Sequence, residues 1–319
     1  MDTHLLTNAV GDRIALLDFG ARITSIELQI ESSVRSLVLG YPLVDQYRHD
    51  PWFLGCTVGR FANRIGGARY TIDGKTCELT PNEGIHQLHG GPQGFDKKHW
   101  TLNANASHQQ ASYSLLSPAG DQGHPGNLLV TVTYRWTDER VLLIDYEAVT
   151  DAPTHVNLTH HSYFQLDGHG SVLDHTLSVH GDTFLDVDNE MIPTGDELPS
   201  RCYGLDCQTP RRIQQILASM HQRRRIAGGL DLTFVTDRAA VAQLTSSTGD
   251  LSLTVVTTSP GLQIYTGQRL SAPFSPFSGI CLEPQHFPDA PNHPHFPSTL
   301  LRPGQCWKQQ TQYRFTSHV

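Results

Sequence analysis

Along most of this chain apolar and polar residues alternate with a period of two, the pattern of strands with one buried face. LLVTVTYRW, residues 128–136, puts Val130, Val132, Tyr134 and Trp136 on one side. The turn TDER then leads into VLLIDYEAV, which predicts a hairpin with period two in both arms. ARYTIDGKTCELT predicts a second hairpin, with Asp73-Gly74 at its turn, because Asp-Gly tolerates the positive φ of a tight reversal. ARITSIELQI, SLVLGY, HWTLNANA, QASYSLLS, HTLSVHG, LDLTFV, VAQLTSS, LSLTVVTTS, LQIYTG and CWKQQTQYRF read as further strands.

One segment breaks the rhythm. In TPRRIQQILASMHQ, Thr209 can cap a helix, Pro210 suits its first position, and Ile213, Ile216, Leu217 and Met220 fall on one side. A single short covering helix is predicted there. Strands and helices do not alternate, so neither a doubly wound sheet nor a TIM barrel fits. No repeat of about 40 residues recurs, which argues against a propeller. The pattern predicts an all-β, antiparallel, sandwich-like fold. Strands run through the middle without a linker, so residues 1–319 read as a single domain.

Charge narrows the partners. The formal net charge is -8 at pH 7, and clustered positive charge is what nucleic acid requires. No nucleic-acid partner is expected; Arg223–Arg225 is the one basic run and reads as a solvated turn or an anion contact. No apolar stretch approaches the roughly 18 residues of a membrane span, and the N-terminal residues lack the pattern of a signal peptide. The six cysteines form neither CxxC pairs nor a disulfide framework. Free thiols in a reducing cytoplasm are the expectation. The sequon Asn157-Leu158-Thr159 lies in an apolar run and is discounted.

Histidines number 18. They concentrate in NEGIHQLHGGPQGF (His86, His89), NLTHHSYFQL (His160, His161) and ICLEPQHFPDAPNHPHFPS (Glu283, His286), with GRFANRIGG supplying Arg60, Asn63 and Arg64. Adjacent histidines on a strand point to opposite faces, so His160 and His161 cannot share one metal from regular backbone. HExxH is absent, and His293 and His295 stand among prolines. No metal is expected. Neither a G-x-S-x-G elbow nor a dinucleotide G-x-G-x-x-G occurs. General acid–base chemistry remains, for which imidazoles suit either role and Glu283, ending an apolar strand, suits a partly buried base. The residues alone stop at a β protein with a polar, His-rich site.

GRFANRI, the LHGG of His89–Gly91, NLTHHSYFQL, YTG and CLEPQHFPDAPNHPHFPS together resemble the aldose 1-epimerase (galactose mutarotase) family, in the family's order, from about residue 10 to 315. The resemblance implies the galactose-mutarotase-like β-sandwich, a small-molecule sugar substrate, and interconversion of the α and β anomers of a hexopyranose without cofactor or metal. It implies Glu283 as the base that takes the C1 hydroxyl proton and His161 as the acid that protonates the ring oxygen. His89 would polarise that oxygen; Arg64 and Asp231 would hold remote hydroxyls; Asn63 and Gln263 would line the same pocket. A monomer or homodimer is expected.

The chain departs from the family at three places. His160 stands where the family often has Asn, Leu232 where it often has His, and Gln165 where it often has Asn. The loop DELPSRCYGLDCQTP aligns poorly. These differences leave the catalytic set in place and open the sugar preference: galactose or glucose is the default, and a sulfonated or 6-phosphorylated hexose is the alternative. A non-catalytic carbohydrate-binding sandwich is a third reading, which the retained acid–base set opposes. A His-centred metal enzyme is a fourth.

Overall fold

The computed structural model describes residues 1–220, 228–237 and 239–319. Three antiparallel sheets carry the architecture. A nine-stranded sheet runs in the order Thr101–Leu102, Gln110–Ser117, Leu128–Trp136, Val141–Thr150, Trp307–Ser317, Leu251–Thr257, Ala240–Thr245, Thr176–Val179, Arg211–Arg212. A six-stranded sheet runs Tyr163–Phe164, Ile280–Gln285, Gly261–Tyr265, Asp231–Val235, Thr183–Val187, Pro193–Pro199. A four-stranded N-terminal meander spans residues 3–36. The expected all-β sandwich is what forms.

Its core follows from the alternation. Val130, Val132, Tyr134 and Trp136 are all buried, and they join one apolar cluster with Leu142, Ile144, Leu253 and Tyr313 of the large sheet. Leu232, Phe234, Leu262, Ile264, Ile280 and Leu282 enter the same cluster from the six-stranded sheet. Burying each such side chain is worth about 1.5–3 kcal/mol. A slip of one residue would turn these six outward and Glu283 into the core, so burial fixes the register that aims the site. Both predicted hairpins form: residues 128–136 pair with 141–150, and Arg69–Ile72 with Lys75–Glu78 around Asp73-Gly74.

Four local expectations need correction. The helix is Ile213–Ser219, so Thr209 and Pro210 lie outside it. Arg211 and Arg212 instead pair with Leu177 and Thr176 at the sheet edge, and the helix starts only after this extended stretch. Its apolar side is as expected, with Ile213, Ile216, Leu217 and Met220 buried. SLVLGY is not one strand: pairing ends at Ser36, and Val38 makes only an isolated bridge to Phe164. HWTLNANA keeps two strand residues, Thr101–Leu102. NLTHHSYFQL is broken into Thr159–His160 and Tyr163–Phe164, which pair with different partners. Arg223–Arg225 falls outside the described residues.

Candidate active site

The six-stranded sheet presents its polar rows on the side away from the core. Along Ile280–Gln285, Ile280 and Leu282 face inward, so Cys281 and Glu283 face outward. Gln263 lies opposite Glu283 on the neighbouring strand, and Tyr265 lies opposite both Cys281 and Asp231. Three strands thus hold Glu283, Gln263 and Asp231 in adjoining rows. Gln263 Nε2 donates to Asp231 Oδ1 at 2.7 Å, and Thr233 Oγ1 donates to Gln263 Oε1. The amide of Gln263 is fully oriented by these two bonds.

Loops deliver the other half. His161 follows the short strand Thr159–His160; its backbone N–H donates to Cys56 O and its carbonyl accepts from Gly55 N. The imidazole then reaches Glu283, with Nε2 3.7 Å from Oε1, while Nδ1 lies 3.5 Å from Cys281 Sγ. His160 turns the other way. Its Nδ1 meets Ser162 Oγ at 3.0 Å, and its ring packs edge-on against Tyr134 in the core. The histidines diverge as strand alternation requires, although the strand ends between them.

His89 stands edge-on to His161 with ring centroids 5.3 Å apart. Its Nδ1 accepts the Asn63 N–H at 3.2 Å. The neutral ring therefore carries its proton on Nε2, making that edge a donor toward the pocket. The backbone there is tight: a Cβ on Gly90, whose φ is +85, would sit 2.0 Å from Gly59 O, so the LHGG turn demands glycine. Asn63 Oδ1 accepts from Arg64 N at 2.9 Å. Arg64 donates from Nε and Nη2 to the two carboxylate oxygens of Glu83 at 2.6 and 2.9 Å, a fork that fixes the guanidinium plane.

Burial dominates the electrostatics. Glu283, 2% exposed, has its carboxyl pushed well above the usual range, by desolvation first and by the charge of Asp231 second. Burial lowers His161 to about 4 and His89 well below 6.5. His161 and Glu283 are close enough to pair as ions, yet both shifts oppose the ionised pair and favour the neutral one. Asp231 is also raised by burial, opposed by Arg64 and Arg269.

These side chains surround a cavity of about 190 Å³. That is below the roughly 300–1,000 Å³ of pockets for drug-sized ligands, and it suits one sugar ring. All seven expected residues, Asn63, Arg64, His89, His161, Asp231, Gln263 and Glu283, line it. Sequence reasoning missed Trp52, Phe53, Glu83, Tyr163, Tyr265 and Arg269. Tyr163 and Tyr265 sit inside the quoted YF and IYTG stretches, where polar-row position marks them. Trp52 and Arg269 stand on loops with no periodicity to reveal them. A larger groove, about 570 Å³, lies on the outer face of the nine-stranded sheet. Its charges already pair, as Arg135–Asp145 and Lys308–Glu147, and it holds no acid–base couple.

Known proteins resemble this chain over nearly its whole length. A family model described as Aldose 1-epimerase matches residues 2–314. The chain is 38% identical to an aldose 1-epimerase of Escherichia coli K12, covering 97% of this chain and 94% of that one. The chain belongs to the aldose 1-epimerase family. It is also 36% identical to a galactose mutarotase of Sus scrofa, over 95% of this chain and 91% of the other. A solved structure of a GalM/aldose epimerase homologue from C. elegans superposes with TM-score 0.92 at 30% identity, covering 99% of both chains. That of a galactose 1-epimerase from Lactobacillus acidophilus NCFM gives 0.89 at 26%, covering 99% and 94%.

As an aldose 1-epimerase, this enzyme is an isomerase with a galactose-mutarotase-like sandwich fold. In this epimerase His160 is buried, and its Nε2 has no hydrogen-bond partner among the described residues. Leu232 belongs to the core, so its side chain cannot reach the pocket from its strand. No helix among the described residues is long and apolar enough to cross a membrane.

Proposed function

We propose that this enzyme interconverts the α and β anomers of a hexopyranose such as galactose or glucose, with Glu283 as base and His161 as acid. The observation that carries the reading is their pairing across the pocket floor, 3.7 Å apart and both buried. Glu283 takes the C1 hydroxyl proton while His161 protonates the ring oxygen. The C1–ring oxygen bond breaks, the aldehyde forms, the C1–C2 bond rotates, and closure on the other carbonyl face returns both protons. His89 Nε2–H donates to the ring oxygen. Arg64 and Asp231 grip remote hydroxyls through charge-assisted bonds, with Asn63 and Gln263 orienting them.

The protonation preferences fit this cycle. Glu283 ionised with His161 protonated is the state that accepts the closed ring. Glu283 protonated with His161 neutral is the state left after opening. Burial favours the second, so the pocket lowers the energy of the open-chain intermediate relative to the closed sugar. The two states hold the same number of protons, and the enzyme needs no external base.

One observation favours a second reading. Arg269 is exposed at the pocket rim, and no carboxylate pairs with it among the described residues. An anionic substituent on the sugar, sulfonate or phosphate, would meet it. A pure carbohydrate binder would have no use for the Glu283–His161 couple. Residues 1–319 act as one catalytic unit on our reading, as monomer or homodimer. Six unpaired cysteines, with Cys202 and Cys306 exposed, support a reducing, cytoplasmic setting.

Magnetisation exchange between the two anomeric C1 protons, read by NMR at equilibrium, tests the proposal. Added enzyme should speed exchange for galactose or glucose. Acceleration confined to 6-phosphorylated or sulfonated hexoses would select the second reading, and none for any hexose would refute both.

A further inference from the structure

Three potential metal donors converge at the pocket where the sugar is placed; two of them, His161 and Glu283, line it, and Cys281 lies against them. His161, Cys281 and Glu283 each offer one ligand atom, and these atoms lie within 4.8 Å of one another. They form the one such His/Cys/carboxylate group among the described residues, and all three are buried. Cys281 and Glu283 stand two apart on a strand, so both project from the same face. A second observation points to a ligand. Glu283 Oε2 is buried with no hydrogen-bond partner among the described residues, and its carboxylate lines the cavity. Among the described residues no lysine or arginine pairs with Glu283, and Arg64 is committed to Glu83.

We propose that this floor is a binding site for a thiophilic divalent cation, Zn²⁺ above all, which occupies the pocket in competition with the sugar. Tetrahedral zinc with bonds of about 2.0–2.3 Å sets its donors about 3.3–3.8 Å apart. The 3.5 Å between Cys281 Sγ and His161 Nδ1 meets that spacing directly, and the 3.7 Å between His161 Nε2 and Glu283 Oε1 does so for the other nitrogen. One imidazole nitrogen can serve, so the remaining donor must close in by up to about 1 Å, within reach of a side-chain rotation. Three protein ligands leave a fourth position open toward the cavity, the coordination that admits water or a hydroxyl. Binding displaces two protons to solvent, that of the Cys281 thiol and the one Glu283 holds in the neutral pair; no other bond changes. Thiolate and imidazole select zinc over magnesium, which requires oxygen ligands.

The cation site stands on geometry alone, whereas its competition with sugar rests on the proposed sugar position. The test starts with protein freed of metal by chelator. Mutarotation by that protein is read first; its absence refutes the function and leaves the cation site untouched. Zn²⁺ is then titrated against a chromophoric chelator, with Mg²⁺ as the hard-cation control. We expect one equivalent of zinc per chain and none of magnesium. Cys281→Ser, checked for an unchanged fold by circular dichroism, should weaken zinc at least about tenfold. The double variant Cys202→Ser/Cys306→Ser should bind as wild type. Saturating galactose should weaken zinc in proportion to its occupancy. No stoichiometric binding, or binding indifferent to Cys281→Ser, overturns the site. Binding lost in Cys281→Ser but indifferent to galactose overturns the competition.

Discussion

On the proposed mechanism Glu283 and His161, 3.7 Å apart, share one proton, and the pH profile should report that count. Below about pH 4 His161 takes up a second proton while Glu283 keeps its own, and the base is lost. Above the raised pKa of Glu283 the shared proton leaves, and the acid is lost. The expected kcat/KM profile is therefore a bell, flat through the weakly acidic range, with its acid limb near 4 and its alkaline limb well above the ordinary glutamate value of 4.5. Rates measured from pH 3.5 to 9 in chelator-treated buffer check this. An acid limb at 6.5 would mean that His161 titrates as an exposed imidazole. At this scale the proposed catalytic pair was named in the sequence only through the family resemblance, in CLEP and THHSYF. Their protonation was not legible, because it comes from burial that no local motif encodes. Glu83 was equally hidden. Its role follows from a fork to Arg64 across 19 positions of chain.

At the scale of elements, period two was enough to read the long strands, whose core faces are nearly uninterrupted. It failed where pairing is short and tertiary. Arg211–Arg212 extend because a neighbouring edge accepts them, and Tyr163–Phe164 form a strand because Cys281 and Ile280 lie alongside. One buried ion pair secures the loops behind the site. Arg22, fully buried, donates to Asp50 Oδ2 at 2.8 Å, Leu54 O at 2.7 Å and Asp96 O at 3.0 Å. It ties the N-terminal sheet to the segment that ends at Gly55, which itself holds His161. Arg22→Met should cost about 3–5 kcal/mol, since Asp50 is left charged and buried. Chemical denaturation measures it; a loss under 1 kcal/mol would show that Asp50 finds other compensation.

The whole molecule carries an unusual load of buried neutral histidine. His89, His124, His155, His160, His161, His175 and His286 are all lowered, mainly by burial. Their unfolded forms titrate near 6.5, so the unfolded chain binds more protons below that pH. Stability therefore falls as pH drops from about 6.5 toward 4. Four carboxyls, Asp96, Asp231, Glu283 and Asp289, are raised and act in the opposite sense over part of that window. Seven groups against four leave a net loss. Calorimetry should show Tm lower at pH 5 than at pH 7.5; an unchanged or higher Tm would mean that the carboxyls dominate. The overall fold was legible from alternation, turn signals and the absence of strand–helix rhythm. The union of three sheets around one core was not, because strand order is set by contacts far apart in sequence.

The most direct measurement is the decay of optical rotation of freshly dissolved α-D-galactose, recorded with wild type and with Glu283→Gln at equal concentration and equal thermal stability. The glutamine keeps the shape and removes the base. Wild type should far outpace the spontaneous rate, and Glu283→Gln should lose about 10²–10⁴ of kcat. A variant that keeps the wild-type rate would contradict the assignment of Glu283 as the base.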